Sequence, residues 1–317
     1  MATYLVTGGC GFIGSHLAAA LRARGDQVRV LDDLSTGSPA NLAPGATLLR
    51  GDVADPAMVR GAMAGVDGCF HLAAIASVER GVNEWLATHR TNLSGTIALF
   101  EAARAREGRG PVPVVYASSA AVYGDHPALP LDEAMPTRPL SAYGADKLGC
   151  EQHARVAGRV HGIPTLGLRF FNVFGPRQDP RSPYSGVISV FCDRLARGAP
   201  VDIFGDGGQT RDFIFVADVV AALLAALRVA SPAAAVANVC TGQPTAVRDL
   251  AGIVARLCGT AGELRHLPAR TGEIRHSLGQ PMRAQALLGL KAPVVLETGL
   301  AEVVAWLRAG QPGLVAG

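Results

Sequence analysis

Thr7-Gly8-Gly9-Cys10-Gly11-Phe12-Ile13-Gly14 follows a short apolar run, Tyr4–Thr7, and opens an amphipathic stretch, Ile13–Arg24. Glycines at a strand–helix junction let the backbone approach a bound diphosphate, which the N–H groups and dipole of the helix N-terminus attract. Such a pattern alone serves equally well for a tight turn. Here Asp32 ends the next strand-like run, 21 positions after Gly11, where an acidic residue can accept hydrogen bonds from an adenosine ribose. The segment therefore predicts a dinucleotide site, with Gly8, Gly11, Phe12, Ile13 and Gly14 around the diphosphate. Asp32, Asp33, Ser35, Thr36 and Gly37 then surround the adenosine ribose.

Two adjacent carboxylates, Asp32 and Asp33, would repel a 2′-phosphate, and no Arg stands between Asp32 and Gly37 to receive one. The cofactor expected is thus NAD rather than NADP. Asp52 and Val53 follow the third strand-like run and are placed to meet the adenine; Asp52 could instead cap the helix starting near Pro56.

Outward from this unit, strand-like runs at Tyr4–Thr7, Gln27–Leu31, Thr47–Gly51, Gly68–Leu72, Val112–Ala117 and Thr165–Phe170 alternate with helical patterns at Ile13–Arg24, Pro56–Met63, Glu84–Arg106 and Ala142–Val160. That alternation predicts an α/β fold, a Rossmann-type doubly wound parallel sheet covered on both faces. After Phe170 the rhythm changes. The Pro- and Arg-rich 173–185 reads as an ordered loop. Helices are expected at Gly186–Arg197, Asp218–Arg228, Ala246–Cys258, Met282–Leu288 and Leu300–Arg308, with strands near Val201–Phe204 and Asp212–Val216. We expect an NAD-binding domain over 1–172 and a smaller α/β substrate lobe over 173–317, with some segments returning to the first domain.

Of the 317 residues 49% are hydrophobic and 17% charged, which excludes intrinsic disorder. A net charge of +3 without any basic run argues against nucleic acid as a partner. The six cysteines are scattered, so neither a disulfide framework nor a metal site is expected, and reduced thiols in a cytoplasmic enzyme fit better. Met1 leads directly into a strand, which predicts no signal peptide. The longest uncharged stretch, 229–247, is broken by Pro, Ser, Asn and Thr, so no bilayer span is expected.

Of 29 basic residues 27 are Arg; the two lysines are Lys147 and Lys291. Tyr143-Gly144-Ala145-Asp146-Lys147 places one of them four residues after a Tyr, which on a helix puts both side chains on one face. The pair follows the fifth strand, at the carboxyl edge where such sheets bind ligands. A phenol is a poor base at neutral pH, and a neighbouring ammonium together with a cationic nicotinamide favours its ionised form. Ser118 or Ser119, in Tyr116-Ala117-Ser118-Ser119-Ala120-Ala121-Val122-Tyr123-Gly124, would hold the reacting hydroxyl.

TGGCGFIG, YASSAAVYG, YGADK, RFFNVFG and RDFIFVAD, in this order and spacing, resemble the extended short-chain dehydrogenase/reductase superfamily, and within it the UDP-sugar 4-epimerases of the UDP-glucose 4-epimerase type. The match runs over essentially the whole chain. The resemblance implies proton abstraction from the sugar 4-hydroxyl, hydride transfer from C4 to a bound NAD, turning of the 4-keto sugar and hydride return. It implies Ser119, Tyr143 and Lys147 as the catalytic set, with Tyr143 and Lys147 also touching the cofactor. Leu72, Ala73 and Ala74 would line the cofactor, and Asn92 would hold the loop beside it. For the nucleotide sugar it implies Ser118, Asn172, Val187, Ile188, Phe204, Arg211, Arg270, Glu273 and Ser277, besides Ser119 and Tyr143. Arg211 and Arg270 would grip the diphosphate, and Glu273 the uridine ribose. Arg211 could instead pair with Asp206 or Asp212, and Val187, Ile188 and Phe204 could serve the core. The resemblance further implies a homodimer built from Glu84–Arg106 and Ala142–Val160. It places Ser277 beside the sugar's C2 group, where a small residue admits an N-acetyl group.

Nucleotide-sugar dehydratases and decarboxylases of the same architecture need an extra acid or base beside the catalytic Ser or Thr. This chain has Ala120 and Ala121 there. A UDP-glucuronate 4-epimerase or another nucleotide-sugar epimerase is a nearer alternative. A catalytically idle NAD-binding sensor or scaffold would be expected to lose the Tyr or Lys, and both are present. Outside these motifs, His71 reads as a core-edge residue satisfied by backbone, and Trp85 and Trp306 read as packing residues. Arg177 is as well suited to substrate as to a partner protomer.

Overall fold

The computed structural model describes residues 1–76, 78–105, 108–180, 186–269 and 274–310. Chain order begins β1 (Thr3–Thr7), α1 (Phe12–Ala23), β2 (Gln27–Asp32), β3 (Thr47–Arg50), α2 (Pro56–Met63) and β4 (Gly68–His71). It continues through α3 (Val78–Asn83), α4 (Trp85–His89), α5 (Gly95–Ala102), β5 (Val114–Ser119), α6 (Ala142–His161), β6 (Thr165–Phe170) and β7 (Asn172–Phe174). The remainder is α7 (Val187–Ala196), β8 (Val201–Phe204), β9 (Thr210–Phe215), α8 (Val216–Val229), β10 (Ala235–Val239), β11 (Pro244–Ala246), α9 (Val247–Cys258), β12 (Leu264–Leu267), α10 (Met282–Leu288) and α11 (Leu296–Arg308).

Seven strands form one parallel sheet in the order β10-β6-β5-β4-β1-β2-β3. The chain reverses direction across the sheet between β1 and β4, so a crevice opens beyond their carboxyl ends. One face buries Leu17, Ala18 and Leu21 of α1 with Val219, Ala222 and Leu223 of α8. The other buries Val59 and Met63 of α2, Leu99 of α5, and Cys150 and Ala154 of α6. Each fully buried side chain the size of Leu contributes roughly 1.5–3 kcal/mol, which anchors the helices whose ends form the crevice. A second, smaller core holds Phe174, Phe191, Phe215, Leu250 and Leu300 under the β11-β9-β7 sheet and the β8–β12 pair.

Three expectations change. The single helix over Glu84–Arg106 is instead α4, a π-helical turn at Arg90–Ser94 and α5, which ends at Ala102. The loop over 173–185 begins as strand, because β7 finds a parallel partner in β9 some forty residues later. Residues 235–239, within the uncharged 229–247 stretch, form the edge strand β10 on β6. A cut at residue 172 would therefore leave the large sheet one strand short. Among the described residues no helix is long and apolar enough to cross a membrane, and no cluster of His, Cys, Asp or Glu could hold a metal ion. All six cysteines are free thiols, and five of them are buried.

Candidate active site

Gly8 has φ +69°, and a Cβ there would lie 2.8 Å from the amide nitrogen of Ala73. A Cβ on Gly14 would lie 2.1 Å from the Gly8 carbonyl oxygen. Only glycine allows both approaches, so α1 starts directly against the turn. Gly11 is its N-cap, with no side-chain cap and no acidic residue in the first turn. The amides there face a cleft of about 410 Å³ whose walls include Gly8, Gly11, Phe12, Ile13 and Gly14. A glycine cradle under an uncapped helix start is what a dinucleotide diphosphate needs, and these residues fit the group.

At the adenosine end Asp32 is buried. Its oxygens accept from the Cys10 amide at 2.9 Å and the Leu34 amide at 2.9 Å. Leu34 reaches that position by adopting φ +63°. Burial pushes the Asp32 carboxyl upward, and the two amide hydrogens pull against it. Asp33, Ser35, Thr36, Gly37 and Val53 line the same cleft. Asp52 accepts from the Ala54 amide and lies 3.6 Å from Arg90, while the cap of α2 is Asp55.

Leu72, Ala73 and Ala74 form the adjoining wall, and a buried chain of hydroxyls holds it. Thr7 Oγ1 accepts from the amides of Leu72 and Ala73, both at 3.1 Å. With two hydrogens received, its own proton points to His71 Nδ1 at 2.8 Å. His71 Nε2 then donates to Thr96 Oγ1 at 3.0 Å, and Thr96 donates to the Asn92 carbonyl at 2.6 Å. Asn92 sits in the π turn, and its side chain takes the amide of Ile75 and gives a hydrogen to the Ile75 carbonyl. The π turn presents Asn92 to the loop. His71 is thus satisfied by two threonine hydroxyls, not by backbone, because its ring lies between β1 and α5.

Burial pushes His71 down to about 3, so it stays neutral when folded. Unfolded, with an ordinary value of 6.5, it takes up a proton as pH falls. The stability this confers is complete above about pH 6.5 and is lost on acidification. From pH 7 to pH 5 the loss expected is roughly 2 kcal/mol. Urea unfolding at both values should show it, and His71→Asn should flatten the difference; an equally steep profile in the variant would refute the assignment.

Ser119, Tyr143 and Lys147 line the same cleft as the glycine turn. Ser141 caps α6 by accepting from the Gly144 amide at 3.1 Å. A Cβ on Gly144 would lie 2.7 Å from the Ala121 carbonyl oxygen, so this glycine lets α6 start against the turn that follows Ser119. Tyr143 is half-buried and Lys147 buried, its Nζ 5.7 Å from the centre of the Tyr143 ring.

Ser118 also lines the cleft, while its hydroxyl donates to Glu151 Oε1 at 2.6 Å. Glu151 receives Arg169 through Nε at 2.8 Å and Nη2 at 2.7 Å, and Arg169 Nη1 donates to Tyr123, whose hydroxyl donates to Asn238. This buried network joins α6, β5, β6 and β10. Glu151 is four residues after Lys147 on the same helix face, a spacing that carried the signal in advance.

The expected substrate residues divide. Asn172 on β7 and Arg211 on β9 share the small sheet: Asn172 donates to the Asp212 carbonyl at 3.3 Å, and Arg211 to the carbonyls of Thr210 and Arg275. Ser277 joins them, its amide donating to the Thr210 carbonyl at 3.1 Å. Asp206 is held by both nitrogens of Arg275. Asp212, weighed above as an ion-pair partner of Arg211, is fully buried and accepts from Thr241, Gly242 and Gly279, so it ties the loops around this sheet together. Ile188 lies in the small core, Val187 packs against that core and Phe204 is half-buried on β8. Arg270 and Glu273 lie outside the described residues. Trp306 is half-buried, whereas Trp85, expected to pack, is 68% exposed because α4 stands on the outer surface.

Residues 4–240 match the model of the NAD dependent epimerase/dehydratase family. The UDP-glucose 4-epimerase of Mycolicibacterium smegmatis is 38% identical over 314 residues, covering 96% of this chain and 98% of that protein. The crystal structure of the Thermotoga maritima UDP-glucose 4-epimerase with UDP-glucose superposes with a TM-score of 0.92 at 35% identity, covering 97% of this chain and 99% of the other. The UDP-N-acetylglucosamine 4-epimerase of Methanobrevibacter ruminantium M1, in complex with UDP-N-acetylmuramic acid, gives a TM-score of 0.91 at 34% identity, over 98% and 99% of the two chains. More distant relatives include dTDP-glucose 4,6-dehydratases and UDP-glucuronate 4-epimerases.

Proposed function

The chain belongs to the NAD dependent epimerase/dehydratase family, with NAD as its cofactor, and within that family we propose that it interconverts the C4 epimers of a UDP-hexose. The observation that carries this reading is the meeting of Ser119, Tyr143 and Lys147 at one end of the cleft, with only the methyl groups of Ala120 and Ala121 after Ser119. Elimination chemistry needs a further proton donor or acceptor at that place, so the alanines favour epimerisation over dehydration.

NAD, when bound, supplies the hydride acceptor and returns the hydride to the same carbon. Tyr143 takes the proton of the sugar 4-hydroxyl through its phenolic oxygen and later gives it back. The Lys147 ammonium stabilises the phenolate, and Ser119 orients the hydroxyl and the carbonyl oxygen it becomes. Arg211 and Asn172 hold the UDP diphosphate on the small sheet, so that the hexose can turn while the nucleotide stays anchored. Val82, Trp85 and Leu86 of α3 and α4 are exposed, as are Val156 and Val160 of α6. This apolar surface is the face on which we place a homodimer.

Because the hydride returns to the sugar it left, the purified protein should act without added NAD. Incubation with UDP-glucose, UDP-N-acetylglucosamine and UDP-glucuronate separately, followed by resolution of the C4 epimers, tests the reading. Strict dependence on stoichiometric NAD with release of NADH would replace it by a dehydrogenase. Turnover of UDP-glucuronate alone would move the substrate to the uronate.

Ser277, small and beside Arg211, leaves room for an N-acetyl group, so acetylated UDP-hexoses should be accepted. Ser277→Tyr should suppress their turnover at least tenfold and spare UDP-glucose, a loss comparable to about 1.4 kcal/mol of transition-state binding. Equal activity of the variant on both sugar types would show that Ser277 is not the gate.

A further inference from the structure

Arg177 stands with φ +67°, a left-handed conformation that a non-glycine residue adopts only at a cost. Its place is set by neighbours on both sides. The preceding carbonyl, of Pro176, accepts from His16 Nε2 at 2.9 Å, and His16 is one turn into α1. Gly175 is tight against the start of α8, where a Cβ would lie 2.4 Å from Val216, and would meet the Phe12 ring of α1 at an ordinary contact distance of 3.4 Å. The chain leaving β7 is thereby held between α1 and the start of α8, and Arg177 lines the same cleft as Gly11 and Phe12.

Its guanidinium has no hydrogen-bonding or ion-pairing partner among the described residues, although the cleft also holds Asp32, Asp33 and Asp179. Each of those carboxylates has a partner of its own. Partial burial lowers the Arg177 guanidinium from its ordinary value, and the nearby Arg177 charge contributes, after burial itself, to lowering His16. A half-desolvated cation on strained backbone, with its neighbours already satisfied, is poised for an anion that arrives from outside.

We infer that Arg177 is a clamp on the bound cofactor: from the C-terminal half of the chain it covers the α1 N-terminus and neutralises the dinucleotide diphosphate held there. The diphosphate of the UDP-sugar has the same chemistry, and the hydrogen bond from His16 of α1 to Pro176, with the cleft shared by Arg177 and the glycine turn, favours the cofactor's. The inference rests on the cofactor rather than on the choice of sugar, so a protein inactive on every UDP-hexose would leave it standing.

The test compares wild type with Arg177→Gln and Arg177→Gly, freed of nucleotide, titrated with NADH, adenosine and UDP over a series of salt concentrations. NADH should bind roughly tenfold to a hundredfold more weakly to Arg177→Gln, with a shallower dependence on salt. Adenosine, which lacks the diphosphate, and UDP should bind as to wild type. Arg177→Gly, relieved of the strain, should melt no lower than wild type without ligand and yet bind NADH as weakly as Arg177→Gln. Unchanged NADH affinity overturns the inference, as does a loss confined to UDP or one shared equally by adenosine.

Discussion

Tyr143→Phe is expected to reduce epimerisation by roughly 10²–10⁴-fold while leaving cofactor and UDP-sugar affinities nearly intact. The substitution deletes one oxygen and scarcely alters volume, so Lys147 and the α6 cap at Ser141 keep their places. A general base is lost without a cavity being made. Substrate affinity can be read by titration of the inactive variant and rate by single-turnover analysis of the C4 epimers. A variant within tenfold of wild type would remove Tyr143 from the role of base and reopen the assignment of the cleft.

Arg169→Met is expected to destabilise the protein by about 3–5 kcal/mol, a large share of the stability of an ordinary domain. The Glu151 and Arg169 side chains are 1% and 3% exposed and meet at 2.7 Å. Removing the cation strands a buried carboxylate and frees the Tyr123 hydroxyl from its donor. The double variant Glu151→Leu with Arg169→Met should recover much of the loss, since a buried ion pair gains little over apolar packing of similar volume. Urea unfolding of the two variants checks both statements. A cost below about 1 kcal/mol for the single variant would show that water reaches the pair.

The two predictions bear on one edge of the sheet from opposite sides. Ser119 faces the cleft, and Ser118, one residue earlier, faces Glu151. Alternation along β5 turns the two hydroxyls apart, Ser118 into the buried network and Ser119 toward the chemistry proposed for the cleft. The sequence alone offers both serines to the substrate, because adjacent hydroxyls look alike until the pleat gives each a direction.

The nucleotide-binding half was legible because its signals are local. Glycines at 8, 11 and 14, an acid at the end of the second strand and a Tyr–Lys pair one helical turn apart each state a backbone need or a shared face within a few residues. The alternation of apolar runs with amphipathic ones is local too, and it predicted the parallel sheet. The substrate side was less legible. Arg211 and Asn172 are 39 positions apart and come onto one sheet only through pairing of β7 with β9, so the substrate roles proposed for them rest on resemblance and not on spacing.

By itself, then, the sequence determined the doubly wound fold, the glycine turn with Asp32 and the helix face bearing Tyr143 and Lys147, since all of these follow from short-range periodicity and backbone sterics. Only the tertiary structure decided that β10 completes the large sheet, that the long helix breaks at a π turn to bring Asn92 to Ile75, and that His71 is neutral between two threonines. It also decided that Arg177 lines the cleft with the α1 N-terminus and has no hydrogen-bonding or ion-pairing partner among the described residues. Those outcomes depend on strand pairing, burial and hydrogen-bond donors far away along the chain. No local pattern encodes them, because a buried polar group takes whichever partner the packed fold brings within reach.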